Sequence, residues 1–251
     1  MPSYNILYKP KGKAGEYCEG YALNLYDGCE HACSYCYAPS VRRQSKAYFF
    51  CNATPYNNVL KRLHHDLDKM VKAGDKQEVF MSFTSDPFQP IEEEYGITSE
   101  AMCLLERYGV PYRILTKAGY TMLEDELEFM DRQLCTLGST LVFSKDAHSR
   151  MFESGAPVTS DRMNLLWHAH GMGFKTWVSL EPVWTREDAF ALIKRTHEFV
   201  DEYKIGKLNY HPQAKNVDWV MFARDISEYC DELGVDYTLK EDLRKLLEVP
   251  E

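Results

Sequence analysis

Three cysteines fall within eight residues of the segment Asp27-Gly28-Cys29-Glu30-His31-Ala32-Cys33-Ser34-Tyr35-Cys36-Tyr37, at spacings of four and three. Thiolates are ligands for iron–sulfur clusters, and three of them hold three corners of a [4Fe–4S] cube, where an ordinary cluster takes four. The fourth iron is then open. The amino and carboxylate groups of S-adenosylmethionine can fill it, which sets the sulfonium beside a one-electron donor. Gly28, just before the first ligand, suits a tight turn. The alternative is zinc, whose tetrahedral shells also use Cys and His, and His31 sits inside the motif. Structural zinc ordinarily shows a second Cys or His pair, and none follows at similar spacing. Core packing of unrelated thiols does not account for three in eight residues.

The other five cysteines, Cys18, Cys51, Cys103, Cys135 and Cys230, are scattered among unrelated segments, a pattern that fits a reducing compartment with one metal site. The N-terminal stretch carries Lys9, Lys11 and Lys13 without an apolar run, and no stretch reaches the ~18 apolar residues of a membrane helix. A soluble, cytoplasmic protein without a membrane partner is expected. The net charge of −9 argues against indiscriminate binding to a phosphate backbone, although Arg42, Arg43, Lys46, Lys61 and Arg62 follow the cysteine cluster.

The 251 residues, 45% of them apolar, suffice for one α/β domain, and no Pro-, Gly- or Ser-rich linker divides them. A single domain is expected, with a core over about 20–212 and an extension over about 213–251. From Tyr21 onward, short β-rich runs alternate with segments of helical period, the rhythm of parallel βα units. The expected strands are Tyr21 to Leu25, Glu78 to Phe83, Tyr112 to Leu115, Thr140 to Phe143, Thr176 to Leu180 and Ile205 to Leu208, with a possible seventh at Asp236 to Leu239. Expected helices cover Ser99 to Tyr108 with Thr98 as cap, Leu123 to Leu134, Asp161 to His170, Glu187 to Tyr203 and Val217 to Leu233. The loops after barrel strands gather at one face, where chemistry is sought. They offer Ser85 and Asp86, then Lys117, Ser144, Glu181, and finally Asn209, Tyr210 and His211. Taken as ordinary loop ends these residues mean little, and Asp86-Pro87 and Gln89-Pro90 can simply stiffen a turn.

The cysteine motif resembles that of the radical S-adenosylmethionine superfamily, and Asn24-Leu25-Tyr26-Asp27-Gly28-Cys29-Glu30-His31 with Tyr35-Cys36-Tyr37-Ala38 resembles its spore photoproduct lyase-like branch. The resemblance runs from about Tyr21 to His211. It implies a partial (β/α)6 barrel with a C-terminal helix and strand extension, a [4Fe–4S] cluster on Cys29, Cys33 and Cys36, and reductive cleavage of S-adenosylmethionine to a 5′-deoxyadenosyl radical that abstracts hydrogen. An external flavodoxin- or ferredoxin-like electron donor goes with such chemistry. By the same resemblance Ser85, in Thr84-Ser85-Asp86, binds the cofactor's amino group, Lys117 its carboxylate, and Ser144 lies near the ribose. Tyr35 and Glu181 complete the cofactor contacts, and Asp86, Asn209, Tyr210 and His211 are candidates for substrate.

One position departs from the branch. Its lyases place a hydrogen-donating cysteine directly before Thr-Ser-Asp, and here that residue is Phe83. Tyr35, Tyr37, Cys18 or Cys51 can supply hydrogen instead, or the reaction is a rearrangement that needs no donor. The leading substrate is a thymine-derived base, in DNA with the base displaced from the stack or in a nucleotide, and the acidic net charge favours the smaller substrate. The alternatives are radical modification of a peptide or small metabolite, and a zinc-bound interaction protein without catalysis.

Overall fold

The structure, a computed structural model, describes residues 5–209 and 211–248. Seven strands lie side by side in chain order: β1 (Tyr21–Leu23), β2 (Val79–Met81), β3 (Tyr112–Thr116), β4 (Cys135–Thr140), β5 (Lys175–Val183), β6 (Glu202–Lys207) and β7 (Asp236–Leu239). Every pairing between them is parallel. Parallel neighbours require a crossover, and helices supply them: α1 (Val59–Lys72), α2 (Ile97–Arg107), α3 (Tyr120–Phe129), α4 (Asp146–Phe152), α5 (Thr159–Gly171), α6 (Arg186–Thr196) and α7 (Trp219–Leu233), while α8 (Glu241–Leu247) follows the last strand. This is the expected partial barrel. The segment assigned to an extension contributes β7, a full parallel member of the sheet.

The sheet does not close, since β1 and β7 each have one paired edge. The N-terminal segment crosses that seam. Tyr8 and Ala22 exchange backbone hydrogen bonds of 3.1 and 2.8 Å along β1. At the far side Lys13 Nζ lies 2.8 Å from Asp242, and the Glu241 amide donates to Glu16 at 2.6 Å. Between these anchors Tyr17 enters the barrel beside Cys18, Phe80, Phe83, Leu115 and Trp177. At the N-terminal end of the strands Arg113 bridges Glu78 (3.2 Å) and Glu202 (2.8 Å), so the interior charges are paired.

Several boundaries differ from expectation. The fourth strand runs over Cys135–Thr140, not Thr140 to Phe143, because Gly138 is a strand residue: a Cβ there would sit 2.0 Å from Trp177 Nε1 on β5. The glycine marks a close approach within the sheet rather than a break. The preceding helix accordingly stops at Phe129, and Glu187 to Tyr203 divides into α6 and β6, whose Glu202 pairs with Trp177. Gly96, not Thr98, precedes α2; Thr98 is buried inside it and donates to the Pro87 carbonyl at 2.5 Å.

Gly138→Ala should lower stability by about 1–3 kcal/mol in urea denaturation, since Trp177, whose Nε1–H donates to the Ile114 carbonyl at 2.9 Å, has to move. Gly171→Ala, at the end of α5 with open space around it, should be neutral or up to about 1 kcal/mol stabilising. Equal midpoints for the two variants would contradict the close packing of β4 on Trp177.

Candidate cluster and cofactor site

The cysteine loop follows β1 at the C-terminal edge of the parallel sheet, where the loops after the other strands also gather. Its shape is fixed on several sides. Gly28, at φ +90°, passes so close to Ala53 and the Phe49 carbonyl that a Cβ would lie 2.8 Å from both. The Cys29 amide donates to the Phe49 carbonyl at 3.2 Å, and the Glu30 amide to Gln89 Oε1 at 2.8 Å. Cys33 forms an isolated antiparallel bridge with Glu153, and the Ser34 amide donates to the Phe152 carbonyl at 2.7 Å.

Cys33 is buried, and Cys29 and Cys36 are half-buried. Burial is the first cause that pushes all three thiols up. Asp86 and Cys33 add to it at Cys29, while at Cys33 the Lys117 ammonium opposes it and the thiol stands at about 12. Loading a metal here therefore displaces protons. Among the described residues no three His, Cys, Asp or Glu side chains converge on a point that one metal ion would occupy. Sulfur ligands of a single tetrahedral zinc must all approach it to ~2.3 Å, whereas the corners of a cube lie farther apart. Three thiols from one loop are the donor set that three corners of a cube require.

His31, inside the motif, is only 1% exposed. Its Nδ1 lies 3.2 Å from Asp86, too poorly aligned for a hydrogen bond, and its Nε2 has no hydrogen-bond partner. Asp86 is buried and fully engaged: it accepts from Thr116 Oγ1 (2.6 Å), the Lys117 amide (2.7 Å) and the Phe88 amide (3.0 Å). Burial alone would raise its carboxyl, but His31, Thr116 and Lys117 outweigh this and hold it at about 2. Asp86 thus ties the loop after β2 to the loop after β3 and lies against His31 of the cysteine loop, so its oxygens are engaged within the chain.

The other sequence-derived candidates are placed as follows. The Tyr35 hydroxyl donates to Glu153, and its ring packs with Phe143 and Trp184. Lys117 Nζ lies 5.9 Å from that ring. Ser85 is held by Ser82, whose Oγ donates to the Ser85 carbonyl at 2.6 Å. The Ser144 amide and hydroxyl both donate to Asp188, at 2.8 and 2.6 Å. Glu181 Oε2 accepts from the Tyr17 hydroxyl and from Lys240 Nζ (2.9 Å). Asn209 donates to Asp242 at 3.0 Å, and His211 accepts from the Gln213 amide at 3.2 Å with its ring against Trp184. Tyr210 lies outside the described residues. Of the hydrogen-donor candidates, Tyr37 donates to the Phe83 carbonyl at 2.6 Å, Cys18 is buried and donates to the Tyr21 carbonyl, and Cys51 is exposed at the end of a short helix, Lys46–Cys51.

Sequence reasoning missed Tyr17, Lys240, Glu153 and Arg162. Only the last carried a signal: Arg162 lies three, four and seven residues before Leu165, Leu166 and Ala169, on the buried face of α5.

Because Asp86 is held below its ordinary ~3.9, the stability it contributes is complete above that pH and is lost as pH falls toward about 2. Asp86→Asn should therefore cost the metal-free protein roughly 2 kcal/mol at pH 7, with the gap to wild type narrowing between about pH 4 and pH 2 in denaturant titrations. A gap unchanged across that window would mean that the carboxylate charge is not what binds the two loops.

No family model matches the chain. An uncharacterised protein of Mycobacterium tuberculosis is 28% identical over 175 residues, which cover 65% of this chain and 49% of that one. One from Methanocaldococcus jannaschii is 26% identical over 195 residues, covering 75% and 70%, and one from Acidianus two-tailed virus 22% over 264 residues, covering 96% and 82%. The chain spans about half the length of the mycobacterial relatives it matches. Among solved structures, a spore photoproduct lyase variant with bound S-adenosylmethionine and dinucleoside spore photoproduct superposes with a TM-score of 0.70 at 15% identity, over 93% of this chain and 78% of the lyase. Streptococcus suis SuiB bound to S-adenosylmethionine gives 0.62 at 12% identity, over 87% and 45%. Both are radical S-adenosylmethionine enzymes, and the chain has their fold.

Proposed function

We propose that this chain, with the fold of the spore photoproduct lyase-like radical S-adenosylmethionine enzymes, holds a [4Fe–4S] cluster on Cys29, Cys33 and Cys36 and modifies or rearranges a thymine-derived base in DNA or in a nucleotide. The observation that carries the reading is the loop of three thiols at the C-terminal edge of a parallel sheet. When bound, the cluster and S-adenosylmethionine supply one electron and a 5′-deoxyadenosyl radical able to take hydrogen from an unactivated carbon.

The chain's own residues orient the cofactor and shelter the site. Lys117 pairs with the methionyl carboxylate and Ser85 takes the amino group. The Tyr35 ring, fixed by Phe143 and Trp184, forms an apolar wall. Glu181 already gives Oε2 to Tyr17 and Lys240, so Oε1 is the oxygen left for a ribose hydroxyl or a polar group of the substrate. Tyr37 brings a phenol to Phe83, the position where the lyases carry a hydrogen-donating cysteine. Support for the base comes from the dinucleoside lesion bound by the lyase; SuiB has been solved with its precursor peptide, which keeps a peptide as the competing substrate. A flavodoxin- or ferredoxin-like protein is the proposed electron source.

Anaerobic reconstitution should give a brown protein with about four irons per chain and a reduced-cluster EPR signal that changes when S-adenosylmethionine is added. Cys33→Ala should lose most of that iron. Lys117→Ala should keep it and weaken cofactor binding about tenfold or more, the scale of one lost charge-assisted hydrogen bond. With dithionite, wild type should form 5′-deoxyadenosine, and methyl-deuterated thymidine oligonucleotides or nucleotides should pass deuterium into it. Deuterium transfer only from peptides would overturn the base, and a colourless zinc protein would overturn the whole reading.

A further inference from the structure

Beneath the cysteine loop lies an ion pair taken entirely out of water. Arg162 of α5 and Glu153, just after α4, are each 0% exposed, with Nη2 2.8 Å from Oε2. Such a pair is a poor source of stability, because the desolvation of both charges offsets most of their attraction, and two apolar side chains of similar volume often do as well. Its bonds all lead to one place. Arg162 also donates to the Thr140 carbonyl at the end of β4 (3.0 Å) and to the Pro157 carbonyl (2.8 Å), so the guanidinium is fixed to the sheet. Glu153 faces the other way: its Oε1 accepts from the Tyr35 hydroxyl, and its backbone bridges Cys33. The flanking residues repeat the connection, with the Ser34 amide on Phe152 and the Gly155 amide on the His31 carbonyl at 3.0 Å. Gly155 has to be glycine for this contact, since a Cβ would lie 2.1 Å from the Glu30 carbonyl oxygen.

Resting on the reading above, we infer that Glu153 and Arg162 are positioning residues for the cluster: through Tyr35 and the Cys33 bridge they fix the second and third ligands against the end of β4, and they set the charge on the buried side of the cube. Neither touches the reacting atoms. The order of the chain from sheet to metal is Thr140, Arg162, Glu153, Tyr35 and Cys33, so a loop that is otherwise anchored near Cys29 through Phe49 and Gln89 gains a rigid second anchor at its far end.

The test uses the reconstituted full chain and two conservative variants. Tyr35→Phe leaves the ion pair, the ring contacts and the backbone bridge at Cys33 in place and removes only the side-chain link from Glu153 to the loop; it should fold as wild type and release iron to a chelator several-fold faster. Glu153→Gln keeps the hydrogen-bonding shape and removes a negative charge, which favours the electron-rich state of a neighbouring cluster, so its midpoint potential should rise. A merely structural pair would change the melting temperature and neither of these readouts. Wild-type iron-release rate in Tyr35→Phe with wild-type potential in Glu153→Gln overturns the inference while leaving the proposed function standing. A wild-type protein that takes up no iron overturns both, and a Glu153→Gln that fails to fold leaves Tyr35→Phe to decide.

Discussion

On the proposed reading three sulfur atoms, one buried and two half-buried, have to become anions, and the rest of the site is arranged around that electrostatic constraint. Burial raises every one of the thiols, and the neighbouring Asp86 and Glu153 carboxylates add to the effect. Lys117 and Arg162 oppose it at Cys33, and the backbone of His31 and of Ala38 opposes it at Cys29 and Cys36. The chain holds its raised thiols in a loop already shaped by Phe49, Gln89 and Glu153, and loading the proposed cluster there would exchange protons for iron. Preorganisation of this sort places the conformational cost in folding rather than in metal capture.

The same constraint explains which parts of the site were legible in the sequence. The cysteine motif was legible because all three thiols come from one loop, and spacing within a loop is a local property. The parallel sheet was legible because most of its strands are apolar β-rich runs between helical periods, although the fourth shares only Thr140 with its expected range. What escaped was non-local. Gly138 reads as a break until Trp177, which is 39 residues away in the chain, is seen occupying the space where its side chain would be. Glu153 and Tyr35 are separated by 118 residues, and no local pattern joins them. Tyr17 and Glu181 are separated by 164, and the tyrosine lies in a stretch that carries no periodic signal at all. Arg162 alone left a trace, a charge on an apolar helix face, whose meaning depends on a partner that periodicity cannot name.

An open parallel sheet also leaves a problem at its two edges, where unpaired backbone groups face outward. Here the N-terminal segment covers the seam, pairing with β1 through Tyr8 and reaching the start of α8 through Lys13 and Glu16. The covering segment is also the one that carries Tyr17 into the barrel. Lys204 donates to the Glu16 and Tyr17 carbonyls at 3.4 and 3.1 Å, so the interior wall holds the segment down along its length. Sealing the side and furnishing the interior are thus done by the same residues, which leaves the C-terminal mouth as the approach to the cysteine loop.

At that mouth the charges are unequally satisfied. Asp86 is held by Thr116 and two amides, Glu153 by Arg162 and Tyr35, Glu181 by Tyr17 and Lys240, and Asp188 by Ser144 and Thr185. Each carboxylate is neutralised or capped within the chain before any ligand arrives. Lys117 is the exception: among the described residues its ammonium makes no ion pair and no side-chain hydrogen bond, and it lies beside the Tyr35 ring with Cys33 in its field. Burial opposes the ammonium, but the field of Cys33, Glu153 and Asp86 outweighs it and holds the Lys117 amine above its ordinary range. On the proposed reading the methionyl carboxylate of S-adenosylmethionine is the anion that meets Lys117, while the carboxylates around it hold the loops that present the cation.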